Sequence, residues 1–188
     1  MTALQTHDEV GSFSSFQQNA LEMKVHLHYK INIVCPNPAS LLSEQDSSTP
    51  IEQMYENMWI VSKDEYDKCV VNKSISGDFS KRNLLKCQSP LQLTYYEMVF
   101  RAYSPPEGLE FTPGKKYYFI ATSNGNINSI SNYEGGRCVT YNMKLIIYVC
   151  RGHTDPYCDD FQTIIPSPSV GNQSPVLPIN TCSCQSTS

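Results

Sequence analysis

The sequence has few charges and no long apolar run. Asp, Glu, Lys and Arg make up 17% of its 188 residues, against about 25% in an ordinary soluble domain. The formal net charge of −4 excludes nucleic-acid binding through bulk positive charge. Because no stretch of about 18 apolar residues occurs, no segment is predicted to span a membrane.

Motifs of catalysis and of cofactor binding are also missing. The chain contains no G-x-S-x-G, G-x-x-x-x-G-K-[ST], G-x-G-x-x-G or H-E-x-x-H motif. It has four histidines, at positions 7, 26, 28 and 153. His26 and His28 fall on the polar side of one predicted strand, which we interpret as a solvated face rather than a metal site. We therefore predict a binding module that is not an enzyme and holds no metal and no cofactor.

Cysteine, in contrast, is abundant. The eight cysteines lie at positions 35, 69, 87, 138, 150, 158, 182 and 184. A structural zinc site needs close cysteine pairs, whereas an even and scattered set indicates disulfides and hence a secreted or cell-surface protein. Cys150 and Cys158 flank His153, but a copper site would need a second His and usually a Met. A local Cys150–Cys158 disulfide, or links from these residues to Cys182 and Cys184, is the favoured interpretation.

Two further features of the sequence agree with a secreted or cell-surface protein. Asn72 and Asn172 each begin an N-x-S sequon and are predicted glycosylation sites. The opening residues 1–4 lack the apolar core of a signal peptide, so we expect a mature or trimmed chain.

Alternation of apolar and polar residues predicts strands. The clearest case is residues 24–33, which alternate throughout and predict one half-buried strand. Other strands are predicted over residues 55–61, 84–87, 91–101, 109–111, 115–122 and 138–149. Ser62 and Glu65 have the spacing of a capping box and predict a short helix. Seven or so strands with one short helix predict an all-β sandwich or barrel.

The composition divides the chain into three parts. Residues 1–23 are polar and are predicted to be a mostly flexible lead. Residues 24–150 form the predicted domain. Residues 151–188 are predicted to be an extended Ser/Pro-rich stalk, because residues 161–188 carry no charge and contain four prolines.

Several segments, taken in order, resemble the ephrin ectodomain. They are VHLH and INIVCP at 25–28 and 31–36, MWIVS at 58–62, YDKC at 66–69, LKCQSP at 85–90, FRAYSP at 100–105, GLEF at 108–111, YYFIATSNG at 117–125 and EGGRC at 134–138. Each motif alone is weak, but the ordered set, which spans residues 24–149, is specific.

This resemblance implies a Greek-key β-barrel or sandwich of the cupredoxin-like type without copper, with one or two short helices. It also implies two disulfides, Cys35–Cys87 and Cys69–Cys138. Ephrins are cell-surface ligands of Eph receptor tyrosine kinases that act in cell guidance and morphogenesis, and they are held by a GPI anchor or a transmembrane segment. The Ser/Pro-rich end fits the GPI-anchored form, with membrane contact only through a C-terminal anchor that is absent from this chain. We expect a divergent ephrin of the invertebrate type.

The resemblance further implies a receptor-binding loop over residues 103–111. Its residues are Tyr103, Ser104, Pro105, Pro106, Glu107, Gly108, Leu109, Glu110 and Phe111. A rigid loop with buried aromatic anchors binds well because it loses little entropy. For Tyr103 and Phe111, packing on the barrel instead is an equally good expectation.

The tip of this loop departs from the family pattern. The family usually places bulky apolar residues there, whereas this shorter tip has Pro106 and Glu107. Burying an unpaired carboxylate is costly, so we expect weaker or altered Eph binding. The alternative is an adhesion or co-receptor ligand that acts through a non-Eph surface receptor. The four extra cysteines, from Cys150 onward, also allow self-association.

Overall fold

The computed structural model describes residues 3–6, 9–11, 21–38, 49–74, 79–105 and 108–158. Within these residues nine strands form two sheets. The strands are β1 (Ala3–Thr6), β2 (Glu9–Gly11), β3 (Leu21–Val25), β4 (Lys30–Val34), β5 (Glu56–Val61), β6 (Asn83–Cys87), β7 (Tyr95–Val99), β8 (Lys116–Ile120) and β9 (Lys144–Val149). Two short helices, α1 (Lys63–Lys68) and α2 (Arg137–Thr140), accompany them. The fold is therefore all-β, as the composition and the resemblance predicted.

The first sheet has the strand order β2-β1-β4-β7, and the second has the order β3-β9-β8-β5-β6. Every pair is antiparallel except β3 and β9, which run parallel with Leu21 opposite Leu145 and Val25 opposite Val149. None of the helices in the described ranges is long and apolar enough to cross a membrane.

The core lies between the sheets. From the first sheet it receives Ile31, Ile33 and Met98, and from the second it receives Phe119 and Ile147, all nearly inaccessible to solvent. These residues alternate along their strands because successive side chains point to opposite faces. One disulfide, Cys35–Cys87, joins the end of β4 in one sheet to the end of β6 in the other.

Helix α1 begins at the predicted capping box. The Ser62 hydroxyl accepts a hydrogen bond from the Glu65 amide (3.4 Å), and the Glu65 carboxylate accepts one from the Ser62 amide (2.8 Å). The same carboxylate pairs with Arg82 at 2.5 Å. The helix ends at Cys69, which adopts the left-handed conformation (φ 53°) and forms a disulfide with Cys138.

The predicted single strand over residues 24–33 is wrong. It is two strands, β3 and β4, which belong to different sheets and are joined by a corner at residues 26–29. His28 has a positive φ of 73° there. The corner is held to the end of β7, because the His28 amide donates to the Phe100 carbonyl (2.7 Å) and the Phe100 amide donates to the Tyr29 carbonyl (2.9 Å). Val25 before the corner and Ile31 after it face the same core, whereas Tyr29 within the corner is 57% exposed, so the alternation is interrupted there.

The predicted strand over residues 138–149 is also too long. Its first part is helix α2, in which the Val139 and Thr140 amides both donate to the Gly136 carbonyl (3.1 Å each). Val139 and Tyr141 are exposed (65% and 57%) instead of facing the core. Likewise, residues 109–111 form no strand, and the strand predicted over 91–101 covers only Tyr95–Val99.

The predicted boundaries differ from the structure at both ends. Within the predicted lead, β1 pairs with β4, β2 pairs with β1, and β3 pairs with β9. Residues 151–158 belong to the domain rather than to a stalk, because Cys158 is buried and forms a disulfide with Cys150. Residues 159–188, with Asn172, Cys182 and Cys184, lie outside the described residues.

Candidate functional site

The 103–111 loop connects β7 to β8 at the same end of the sandwich as the corner between β3 and β4. Its two sides are joined at the base, where the Phe111 amide donates to the Arg101 carbonyl (2.8 Å). Phe100, which follows β7, pairs with the corner as described above. The base of the loop is therefore fixed to both sheets.

Phe111 is the inner anchor of this loop. It is 1% exposed, and its ring contacts Phe100 (centroids 4.7 Å apart) and Tyr117 (4.8 Å). The Tyr117 hydroxyl in turn accepts a hydrogen bond from the Thr112 amide at 2.6 Å. The Phe111 side chain therefore packs on the barrel, the second of its two expected roles. Leu109 is partly buried against the same core.

Tyr103 has the opposite environment. It is 88% exposed, the largest exposure among the large hydrophobic residues of the described chain. An exposed tyrosine offers a partner a large apolar area together with a hydroxyl that forms hydrogen bonds. Of the two aromatic residues that flank the loop, only Tyr103 is available to a partner.

The loop is tightly folded near its tip. The Gly108 amide donates to the Pro105 carbonyl (2.8 Å), and the Ser104 amide donates to the Glu110 carboxylate (3.4 Å). A Cβ atom on Gly108 would lie 1.8 Å from the Ser104 hydroxyl, so a larger residue there would force the Ser104 side chain to shift. Pro106 and Glu107 lie outside the described residues, and the expected effect of the Glu107 charge stays a prediction.

The disulfides include both pairs that the resemblance implies. Cys35–Cys87 and Cys69–Cys138 are formed. Cys150–Cys158 is the local bridge that was one of the two alternatives. Because both of its sulfurs are in a disulfide, neither is a thiolate that can bind copper.

At the opposite end of the sandwich, sequence reasoning missed a buried polar network. Asn57 on β5 is 2% exposed, and its side-chain oxygen accepts hydrogen bonds from the Thr122 and Ser123 amides at 2.8 and 3.0 Å. Its side-chain nitrogen donates to the Ile130 and Asn132 carbonyls at 3.0 and 3.2 Å. The only signal in the sequence is a polar residue inside an otherwise apolar strand.

A buried ion pair accompanies this network. Glu56 (1% exposed) contacts the Arg137 guanidinium, which also donates to the Gln53 carbonyl at 2.7 Å. Burial raises the pKa of Glu56 to about 7, although the positive charge of Arg137 opposes this rise. The pair connects β5 to α2 and so fixes the helix that carries Cys138.

A cleft of about 590 Å³ opens beside the network. Its lining consists of Glu52, Tyr55, Asn124, Asn126, Ile127, Asn128, Ser129 and Asn132. Over the described ranges, His, Cys, Asp and Glu side chains nowhere form a group of three or more with the spacing of a metal site. The asparagine amides of the cleft are suited to hydrogen bonding rather than to proton transfer.

The predicted glycosylation residue Asn72 is exposed at the end of the segment that follows α1. Its side-chain oxygen accepts a hydrogen bond from the Ser74 amide (2.8 Å), which folds the sequon into an Asx turn. Because Asn72 is exposed, the side-chain amide that would carry the glycan is accessible from solvent.

Comparison with known proteins gives a consistent result. The Ephrin family model matches residues 10–149. The chain is 35% identical over 139 residues to Ephrin-B2a of Danio rerio, covering 73% of this chain and 38% of that protein. It is 30% identical over 154 residues to human Ephrin-B1, covering 79% of this chain and 40% of that protein. The chain thus spans less than half the length of these curated relatives.

A solved structure also has the same fold. The crystal structure of the human ephrin A2–ephrin A1 complex matches with a TM-score of 0.51 at 20% identity, over 74% of this chain and 93% of that chain. At this level of identity the match concerns the fold alone.

Proposed function

Because the chain belongs to the ephrin family, we propose that it is an extracellular signalling ligand at the cell surface that binds Eph receptor tyrosine kinases through the 103–111 loop. Ephrins as a family are signalling ligands rather than enzymes, and the proposed action is binding without catalysis. The observation that carries the proposal is the contrast within the loop, where Tyr103 is 88% exposed while Phe111 is 1% exposed.

This contrast assigns different roles to the two aromatic residues. Phe111 fixes the base of the loop through its contacts with Phe100 and Tyr117, so this base is in place before the partner arrives. Pre-organisation reduces the entropy that is lost on binding. Tyr103 is then the side chain that a receptor cavity would bury, and a buried tyrosine is a frequent hot spot of protein interfaces.

The experiment is a binding assay between the purified chain and a panel of Eph receptor ectodomains. We expect Tyr103→Ala to weaken binding by about 2 kcal/mol, roughly 30-fold. Tyr141→Ala is the matched control, because Tyr141 is also exposed (57%) but follows α2 rather than lying in the loop. If both variants bind as the parent chain does, the loop is not the interface.

The charge at the loop tip gives a second test. Glu107 stands where the family usually has bulky apolar residues, and desolvating an unpaired carboxylate opposes binding. We therefore propose that Eph affinity is weak, and that Glu107→Leu strengthens it at least threefold. Binding of the parent chain at nanomolar affinity, with no gain in this variant, would contradict the weak-affinity proposal.

A ligand for a non-Eph surface receptor is the second candidate, and the same charged tip favours it. An unbiased screen against extracellular domains separates the two candidates. Capture of an Eph ectodomain supports the first, whereas a different receptor whose binding depends on Glu107 supports the second.

Other family properties are extended to this chain as proposals. We propose roles in cell guidance and morphogenesis, attachment by a GPI anchor, and a glycan on Asn72, whose accessible Asx turn suits the modification. Self-association is proposed because the matching human structure is a complex of two ephrins. Enzymatic removal of N-glycans from the secreted chain tests the glycan on Asn72. Sedimentation of the chain with and without reductant tests self-association.

A further inference from the structure

Two histidines that are far apart in the sequence are brought together beyond the parallel pair of strands. His26 follows the last residue of β3, and His153 lies in the segment after β9. Since Val25 is opposite Val149 in this pair, both segments leave the sheet at the same end. The two imidazole rings have centroids 5.2 Å apart and planes inclined by 31°.

The segment that carries His153 is held firmly in place. At its start, the Cys150 amide donates to the Val25 carbonyl (2.8 Å), directly beside His26. The Cys150–Cys158 disulfide then closes the segment into a loop. Inside the loop the buried Asp155 carboxylate accepts hydrogen bonds from the Arg151 amide (2.8 Å), the Tyr157 amide (3.1 Å) and the Tyr148 hydroxyl (2.8 Å).

The outer side of the loop is also attached to the sheet. The Tyr157 hydroxyl donates to the Glu22 carboxylate on β3 (2.9 Å) and accepts from Lys116 on β8 (3.0 Å). Lys116 also pairs with Glu22 at 2.8 Å. The distance between the two histidines is therefore set by a network of bonds and not by a free loop.

Within the part of the chain that the structure describes, both imidazoles have nitrogens available to a ligand. Among the contacts with other described residues, each ring has aromatic neighbours but no hydrogen bond. His26 is half-buried and His153 is exposed, so an ion in solvent can reach both.

We propose that His26 and His153 together bind a Zn²⁺ ion. Imidazole nitrogen binds Zn²⁺ at about 2.0–2.1 Å in tetrahedral geometry, so the centres of two rings on one ion lie about 5 Å apart. The observed 5.2 Å fits this geometry. Since no third His, Cys, Asp or Glu of the described residues joins the pair, the two remaining positions are open to water or to a donor from a bound partner.

The test is a Zn²⁺ titration of the full chain in competition with a chromogenic chelator. We expect one ion per chain, with His26→Gln and His153→Gln each weakening the affinity at least tenfold. His28→Gln is the matched control, because this exposed histidine lies in the same corner but is not part of the pair. His7→Gln controls for the histidine outside the described residues.

Two results would overturn the proposal. One is that the parent chain binds Zn²⁺ no more tightly than the His26→Gln/His153→Gln double variant does. The other is a tenfold loss in His28→Gln or His7→Gln with no loss in the two site variants. Thermal unfolding of each variant in the absence of metal shows whether that variant is folded. The Zn²⁺ titration needs no receptor, so its outcome does not depend on receptor binding.

Discussion

Replacing Asn57 by Ala tests whether one buried side chain holds the two segments that follow β8. Among the described residues, the Asn57 side chain is the one side-chain acceptor of the Thr122 and Ser123 amides, and the variant removes it; Thr122 and Ser123 are both 0% exposed. A buried donor left without a partner costs about 1–3 kcal/mol, so two amides give about 2–6 kcal/mol. The Ile130 and Asn132 carbonyls add little, because these residues are half-buried and exposed and water can reach them. We expect a loss of about 3 kcal/mol in the free energy of unfolding.

Urea denaturation followed by tryptophan fluorescence measures this loss, because the single tryptophan, Trp59, lies on the same strand and is 3% exposed. The matched control is Asn83→Ala on the neighbouring strand β6. Neither polar atom of the buried Asn83 amide has a hydrogen-bond partner within the described chain. Its removal is therefore expected to cost less than about 1 kcal/mol.

The difference between the stability losses of these two variants shows whether the unsatisfied amide donors cause the destabilisation. Equal losses for Asn57→Ala and Asn83→Ala would refute the reasoning, because the cost would then come from the missing amide volume and not from the unsatisfied donors. Hydrogen exchange gives an independent check. The Thr122 and Ser123 amides are expected to lose protection in Asn57→Ala before the rest of the sheet does.

Three further predictions concern the anchor of the loop, the buried carboxyl and the third disulfide. Phe111→Ala is expected to lower the free energy of unfolding by about 3–5 kcal/mol, whereas Tyr103→Ala changes it by less than about 0.5 kcal/mol; equal effects in urea denaturation would contradict their assigned roles. Because burial raises the pKa of Glu56 from 4.5 to about 7, the folded chain holds a proton that the unfolded chain releases, and stability falls as the pH rises through this window. Glu56→Gln should flatten that fall between pH 5 and 8, and an unchanged fall would assign it to another group. Replacing Cys150 and Cys158 together by Ser is expected to cost about 2–3 kcal/mol and to weaken Zn²⁺ binding, and a chelator titration that gives the parent affinity would show that the loop does not need its bridge.

The features that the sequence predicted well are those decided by neighbouring residues. The capping box at Ser62 and Glu65 is an example, because the two residues satisfy each other's amides within one helical turn. The features it missed depend on distant partners. The alternation over residues 24–33 contains no sign of the corner, which is fixed by bonds to Phe100, far along the chain at the end of β7.

The same difference applies to the candidate site. The motif places Tyr103 and Phe111 symmetrically on the two sides of the loop, and nothing near them in sequence says which one turns inward. The choice depends on Phe100 and Tyr117, whose rings complete an aromatic cluster around Phe111. The pairing of His26 with His153 depends on the parallel register of β3 and β9, which no local pattern encodes.

That parallel register also has a consequence for the biosynthesis of the chain. Strand β3 is made early, but its neighbour β9 comes from the last part of the described domain, with Leu21 opposite Leu145. Because β9 lies between β3 and β8, the second sheet cannot be completed until residue 149 has left the ribosome, and pairing of such distant segments is itself slow. The bridge between Cys35 and Cys87 can form on a shorter nascent chain than the bridge between Cys69 and Cys138. An oxidised intermediate with the first bridge and free thiols at the second pair is therefore the species expected on the way to the complete fold.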